Sequence, residues 1–227
     1  MGQGMGEIMK SEFKTVEKSS PARPEDTKGF RTVADIALEL WSDVLNRGLK
    51  EAARSCGATL AGDQTVRLTY MGGGYLVNFE DRTIKGPDNH RQPGFQVGLV
   101  LLSYLAMGQD LGLAGRMVPA RNLNGGEMFF AGPHALSTGP VTGKFGTNPE
   151  GFMARAAALG FTATEAGSGY GCQGLVLPHI TVGCVLHPAD DEFPAELTYT
   201  FDAYAHYHLA LDGLWAMINV LADEIAA

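Results

Sequence analysis

Residues 93–107 carry apolar side chains on nearly every side of a helical wheel: Val97, Leu99, Val100, Leu101, Leu102, Leu105 and Met107 leave no polar face. A helix of that kind is stable only when other elements wrap it. It is not a membrane span, because the run 97–107 is interrupted by Gly98 and Ser103 and falls well short of the ~18 residues a span needs. The rest of the chain must therefore supply the wrapping, and 227 residues suffice for one core of that size.

The wrapping elements are legible from their periods. Residues 30–53 place Phe30, Val33, Ala37, Leu40, Trp41, Val44, Leu45, Leu49 and Ala52 at helical spacing. Thr32 and Asp35 are placed as a capping box and Gly57 as a stop. Near the other end, Leu211, Leu214, Trp215, Ile218, Leu221, Ala222 and Ile225 share one helix face. Asn148-Pro149 opens a third amphipathic segment, expected to run over 149–159 before Gly160. Residues 65–70 and 75–79 flank Gly72-Gly73-Gly74 as strand, turn and strand, with a further short strand expected at 82–85.

Short extended pieces are expected at 117–123, 127–131 and 161–165, a short helix near Pro133, and a flexible loop over 167–174. One strand is expected over 175–187, with Ile180, Val182, Cys184 and Leu186 on a single face, and another at 197–201. This order predicts an α+β fold: a single domain over 30–227 whose largely antiparallel sheet is packed by a long N-terminal helix, the buried central helix and a C-terminal helix. Residues 1–29 have no apolar period and are expected to be a flexible leader.

Composition narrows the function classes. The net charge of −8, with basic residues scattered, opposes nucleic acid and anionic membrane surfaces as partners. Cys56, Cys172 and Cys184 are odd in number and form no C-x-x-C pair, so a disulfide framework, a zinc ribbon and a self-contained iron–sulfur cluster are poorly supported. Reduced thiols, with no signal peptide or membrane insertion, fit a cytoplasmic protein. The glycine strings at 72–74 and 167–171 lie between strands rather than before a helix, which argues against a dinucleotide cradle.

The chemistry-bearing stretch is 187–208. It contains His187, then Asp190, Asp191 and Glu192, then Asp202, His206 and His208. Carboxylates suit hard cations, and imidazoles add transition metals. One reading is a divalent-metal site built from His187, Asp190 and Asp191 with Asp202, in which His206 and His208 project to one side of an extended segment. The plainer alternative is an Asp-capped turn. Three adjacent carboxylates also need an offset, for which Arg121, a cation or turn N–H groups are the candidates, with Phe193 packing inward beside Pro194.

The string Asp190-Asp191-Glu192-Phe193-Pro194, followed by Phe201-Asp202, resembles the domain of unknown function 3786 family. Val100-Leu101-Leu102-Ser103-Tyr104-Leu105 is similar to that family's central helix, and Arg121-Asn122-Leu123-Asn124-Gly125-Gly126 to its Arg-x-Leu-x-Gly-Gly element. Phe145-Gly146 and Leu159-Gly160 fit as well. The resemblance spans roughly residues 30–225. It implies an uncharacterised family of anaerobic bacteria and archaea, some of whose members are joined to iron–sulfur domains resembling those of corrinoid proteins. The chain departs from the pattern in lacking cluster cysteines and in carrying His187 where a Trp-like residue is expected.

Three functions follow as expectations. The first is a ligand- or cofactor-binding accessory protein of anaerobic redox or one-carbon metabolism. It would take a tetrapyrrole or corrinoid near His134, His179 or His187, with an iron–sulfur or corrinoid protein as partner. The others are a metal-dependent hydrolase using the acidic string and a non-catalytic structural partner. The residues do not decide whether the protein is an enzyme.

Overall fold

The structure is a computed structural model and describes residues 29–87 and 93–227. The expected leader lies, but for Gly29, outside the described residues.

The expected helix over 30–53 is three pieces. A 3-10 turn, Val33–Asp35, comes first, and the Asp35 carboxylate caps it by accepting the N–H groups of Arg31 (2.9 Å) and Thr32 (2.8 Å). Ile36 and Ala37 are extended, and α1 (Leu38–Arg47) starts after them. Gly48, at φ 87°, ends α1 and opens α2 (Leu49–Ser55). The expected apolar face survives these breaks in part: Val33, Trp41, Val44, Ala52 and Ala53 are buried, as is Ile36, which was not expected on it, whereas Phe30, Ala37 and Leu45 are exposed.

Strands β1 (Thr59–Gly62), β2 (Thr65–Tyr70), β3 (Gly73–Asn78) and β4 (Thr83–Lys85) form an antiparallel sheet in sequence order. Tyr70 pairs with Gly73, so the β2–β3 turn is Met71-Gly72, with φ values of 47° and 75°. Two positive φ values match the twist of a two-residue hairpin. Val66, Leu68 and Tyr70 alternate inward and meet Val77 and Ile84 on the same face. β1 was not expected; all four of its residues are exposed, so it carries no alternating signal.

Helix α3 (Phe95–Met107) is the central helix, with Val100, Leu101, Leu102, Tyr104 and Leu105 fully buried. Burying one such aliphatic side chain contributes about 1.5–3 kcal/mol. At Gly98 an added Cβ would lie 2.7 Å from Ile36 Cδ1, so the glycine permits close packing of the N-terminal segment on α3.

The second half contains β5 (Met117–Pro119), α4 (Gly126–Phe129), α5 (Gly139–Phe145), α6 (Pro149–Ala158), β6 (Thr162–Thr164), β7 (Tyr170–Leu177), β8 (Ile180–His187), β9 (Glu196–Asp202), α7 (Ala205–His208) and α8 (Leu211–Ala226). The five strands form an antiparallel sheet ordered β5-β9-β8-β7-β6. Asn148 caps α6 by accepting the Gly151 N–H at 3.1 Å, as its position before Pro149 implies.

Four local expectations are corrected. The strand expected over 175–187 is two strands, because Leu177 pairs with Ile180 across a Pro178-His179 turn. Part of the expected loop 167–174 is therefore the start of β7. Residues 127–131 are not extended: Gly125, at φ 78°, turns the chain into α4. His206 and His208 lie on the single turn α7, where they do not share a side, and only His208 is buried.

The α+β class and the antiparallel pairing hold, with the strands divided over two sheets. α3 packs between α1 and α8, and α5 and α6 also pack on α8. The Met71 N–H donates to the Val176 carbonyl at 2.9 Å, which ties the β2–β3 turn to the second sheet. Among the described residues no helix is long and apolar enough to cross a membrane.

Candidate functional site

The stretch singled out for its chemistry is the loop 188–195 between β8 and β9. Alternation along β8 sends Leu186 into the core and leaves His187 half-buried on the opposite face, paired in register with Glu196. Pro188 cannot continue the ladder. The loop is then pinned by two backbone bonds, Ala189 N–H to the Gly146 carbonyl (2.8 Å) and Asp190 N–H to the Phe193 carbonyl (3.0 Å). Asp190 Oδ1 accepts the N–H groups of Glu192 (2.9 Å) and Phe193 (2.7 Å). These two bonds, led by that of Glu192, hold the Asp190 carboxyl below the usual carboxylate range.

The turn borders an open cleft of about 710 Å³. Ser168, His187, Asp190 and Glu196 supply its polar groups, and Pro188, Phe193 and Pro194 its apolar surface. Gly169 is required beside it, since a Cβ there would come within 2.9 Å of the His187 ring. Phe193 is 66% exposed, contrary to the inward packing expected of it. It lines the cleft instead.

The other singled-out residues are elsewhere. Asp191 and Glu192 are exposed and do not line the cleft. Backbone N–H groups, not Arg121, offset the acidic string; Arg121 is exposed at the 3-10 turn Ala120–Asn122 and, among the described residues, joins no ion pair. Asp202 sits at the far end of β9 from Glu196, roughly 20 Å away at the rise of a strand. It is buried and accepts the N–H groups of Ala114 (2.9 Å), Gly115 (2.8 Å) and Tyr204 (2.9 Å), which is a structural role.

The three histidines considered for a cofactor are also dispersed. His134 stacks on Phe129 at 4.5 Å, with the Trp215 ring edge-on at 5.8 Å. His179 lies in the β7–β8 turn, at the opposite end of β8 from His187, and its backbone N–H donates to the Tyr104 hydroxyl at 3.2 Å. Only His187 faces the cleft. Among the described residues no three His, Cys, Asp or Glu side chains converge as a metal site. Ser168 and Glu196 were not foreseen. Glu196 becomes legible once β8 and β9 are recognised as a hairpin, because it pairs with His187.

No curated protein and no solved structure matches this chain. Residues 48–224 match the profile of a domain of unknown function, DUF3786. That segment holds both sheets, the central helix and the β8–β9 cleft, and the chain belongs to the DUF3786 family.

Proposed function

We propose that the protein is a ligand-binding accessory protein whose site is the β8–β9 cleft. The observation that carries this is the convergence of His187, Asp190 and Glu196 on a cavity of about 710 Å³ with an apolar wall. Small-molecule sites are typically 300–1,000 Å³, largely apolar, with a few polar groups that fix orientation. Asp190 and Glu196 are acceptors, and Asp190 is held ionised by its turn. They select a ligand that donates hydrogen bonds, an amide or an amine, and repel one that carries carboxylates. The exposed Phe193 ring offers such a ligand a flat apolar face.

Within the cofactor classes that the resemblance implies, this donor set fits the neutral, amide-rimmed corrinoid and not a carboxylate-bearing tetrapyrrole. His187 is the imidazole that would face its metal, and Asp190 and Glu196 would take its amides. A bound corrinoid would supply alkyl-transfer or redox chemistry, and the protein would then serve anaerobic redox or one-carbon metabolism, as the resemblance implies. An iron–sulfur cluster would belong to a partner protein, because the three cysteines of this chain are buried and Cys56 lies at the end of α2, on another element from Cys172 and Cys184. No observation favours the metal-dependent hydrolase.

Titration of the full-length protein with cyanocobinamide, followed by visible absorption under anaerobic conditions, tests the proposal. Saturable band shifts are expected, weakened about tenfold or more, ~1.4 kcal/mol, by His187→Ala or Asp190→Asn. Haemin should bind more weakly. Absence of saturable binding, or binding indifferent to both substitutions, would overturn it.

A further inference from the structure

The structure assigns a thiol–disulfide redox site to Cys172 and Cys184, which exchanges with a small-molecule disulfide. It does not depend on the cleft. The two cysteines are register partners on β7 and β8, in a row that runs Ala163, Cys172, Cys184, Tyr199 across four strands, with Ala163 exposed at the edge and the other three buried. Directly opposed residues of antiparallel strands have Cα atoms about 4.5–5.5 Å apart. A disulfide requires roughly 4.4–6.8 Å, so the bridge forms without moving the strands. Both thiols are free and buried on the same face of the sheet.

The two sulfurs are not equivalent. Their mutual side-chain interaction holds the Cys172 thiol below and the Cys184 thiol above the usual cysteine range, with burial raising both. Its place in the sheet makes Cys172 the attacking sulfur. It is the one nearer the sheet edge, flanked by β6, a strand of three residues. Because neither sulfur reaches solvent in the closed fold, exchange proceeds from a local opening of β6 and of α6, which packs on it.

The steps balance. The Cys172 thiolate attacks one sulfur of R–S–S–R, forming a mixed disulfide and expelling R–S⁻. The Cys184 thiol then gives up its proton and attacks the Cys172 sulfur, forming the Cys172–Cys184 bond and expelling the second R–S⁻. Two electrons pass from the dithiol to the small disulfide, and the two protons of the thiols end on two R–SH. Cys56 is an internal control: it stands apart at the end of α2, donates to the Tyr104 carbonyl at 3.1 Å, and burial pushes its thiol up to about 11.

The test uses the native, full-length protein, reduced and then incubated with excess oxidised glutathione before acid quenching, alkylation and peptide mapping. Free thiols should fall from three per chain to one, Cys56. The bridged peptide should join Cys172 to Cys184, far-UV circular dichroism should be unchanged, and dithiothreitol should restore all three thiols. Cys172→Ser should abolish the bridge and Cys56→Ser leave it intact. If all three thiols persist at equilibrium, if glutathione adducts form without the bridge, or if Cys56 enters bridges as often as the others, the assignment fails.

Discussion

The His208 and His179 rings lie 5.2 Å apart where α7 meets the β7–β8 turn, and His208 is buried. Its neutral ring is satisfied at both nitrogens: Nε2 pairs with the Gly112 carbonyl at 2.9 Å and Nδ1 accepts the Gln109 N–H at 3.4 Å. Burial lowers its pKa from 6.5; the Gly112 carbonyl opposes the shift, His179 adds to it, and Asp202 opposes it. A lowered folded-state pKa means that the unfolded chain binds the proton first. Stability is therefore present above about pH 6.5 and is lost as pH falls from there through the folded pKa, at up to ~1.4 kcal/mol per pH unit for one proton. Urea midpoints compared at neutral and mildly acidic pH should show this loss, and His208→Gln should flatten it; an unchanged slope would remove His208 as its source. The sequence placed His208 in an extended segment because a single helical turn leaves no periodic trace. Asp202 was misjudged for a related reason: a carboxylate that binds three backbone N–H groups looks, in the chain alone, like one that binds a cation. His187 and Asp190 were identified correctly as neighbours because only two residues separate them. Their acceptor partner Glu196 needed the hairpin.

Helical periodicity over 30–53 found Val33, Trp41, Val44 and Ala52 of the buried face but missed Ile36, placed the exposed Phe30, Ala37 and Leu45 on it, and missed the breaks, because apolar spacing can continue across a chain that bends. Gly48 is the physical cause of one break. At φ 87° its backbone lies where L side chains are strained, although no atom lies within 4 Å of an added Cβ. Gly48→Ala should therefore cost about 1–3 kcal/mol through backbone strain alone. A urea denaturation series checks it, and a variant as stable as the parent would mean that α1 and α2 can straighten into one helix. The β7–β8 hairpin escaped notice because Pro178-His179 is flanked by apolar residues on both sides, so no polar turn cluster interrupts the run. The β2–β3 hairpin was legible because its glycines announced the turn. β1 shows the converse: with every side chain exposed, pairing alone makes it a strand.

At the scale of the whole molecule, the all-round apolar character of 93–107 was the most informative signal, and α3 is the element on which the two halves meet. Division into two sheets was not legible, since strand periodicity fixes faces and not partners. The halves nevertheless share one continuous core, running from Trp41 and Ile84 through Leu101 and Leu105 to Leu186, Phe201 and Ile218. α3 contacts both α1 and α8, and the Met71–Val176 bond spans the sheets. Neither half can expose its face of α3 without uncovering apolar surface of the other, so unfolding should be a single transition. Trp41, edge-on to Phe79 at 5.6 Å, reports the four-stranded half, and Cys172 and Cys184 report the five-stranded half. In a Trp215→Phe, Cys56→Ser variant, Trp41 fluorescence and pulse labelling of the remaining thiols isolate one probe for each. Their urea curves should superimpose within error. Thiol exposure that completes before the Trp41 transition begins would show that the five-stranded half opens, at β6 and α6 at the least, without the four-stranded half, and would overturn the single transition.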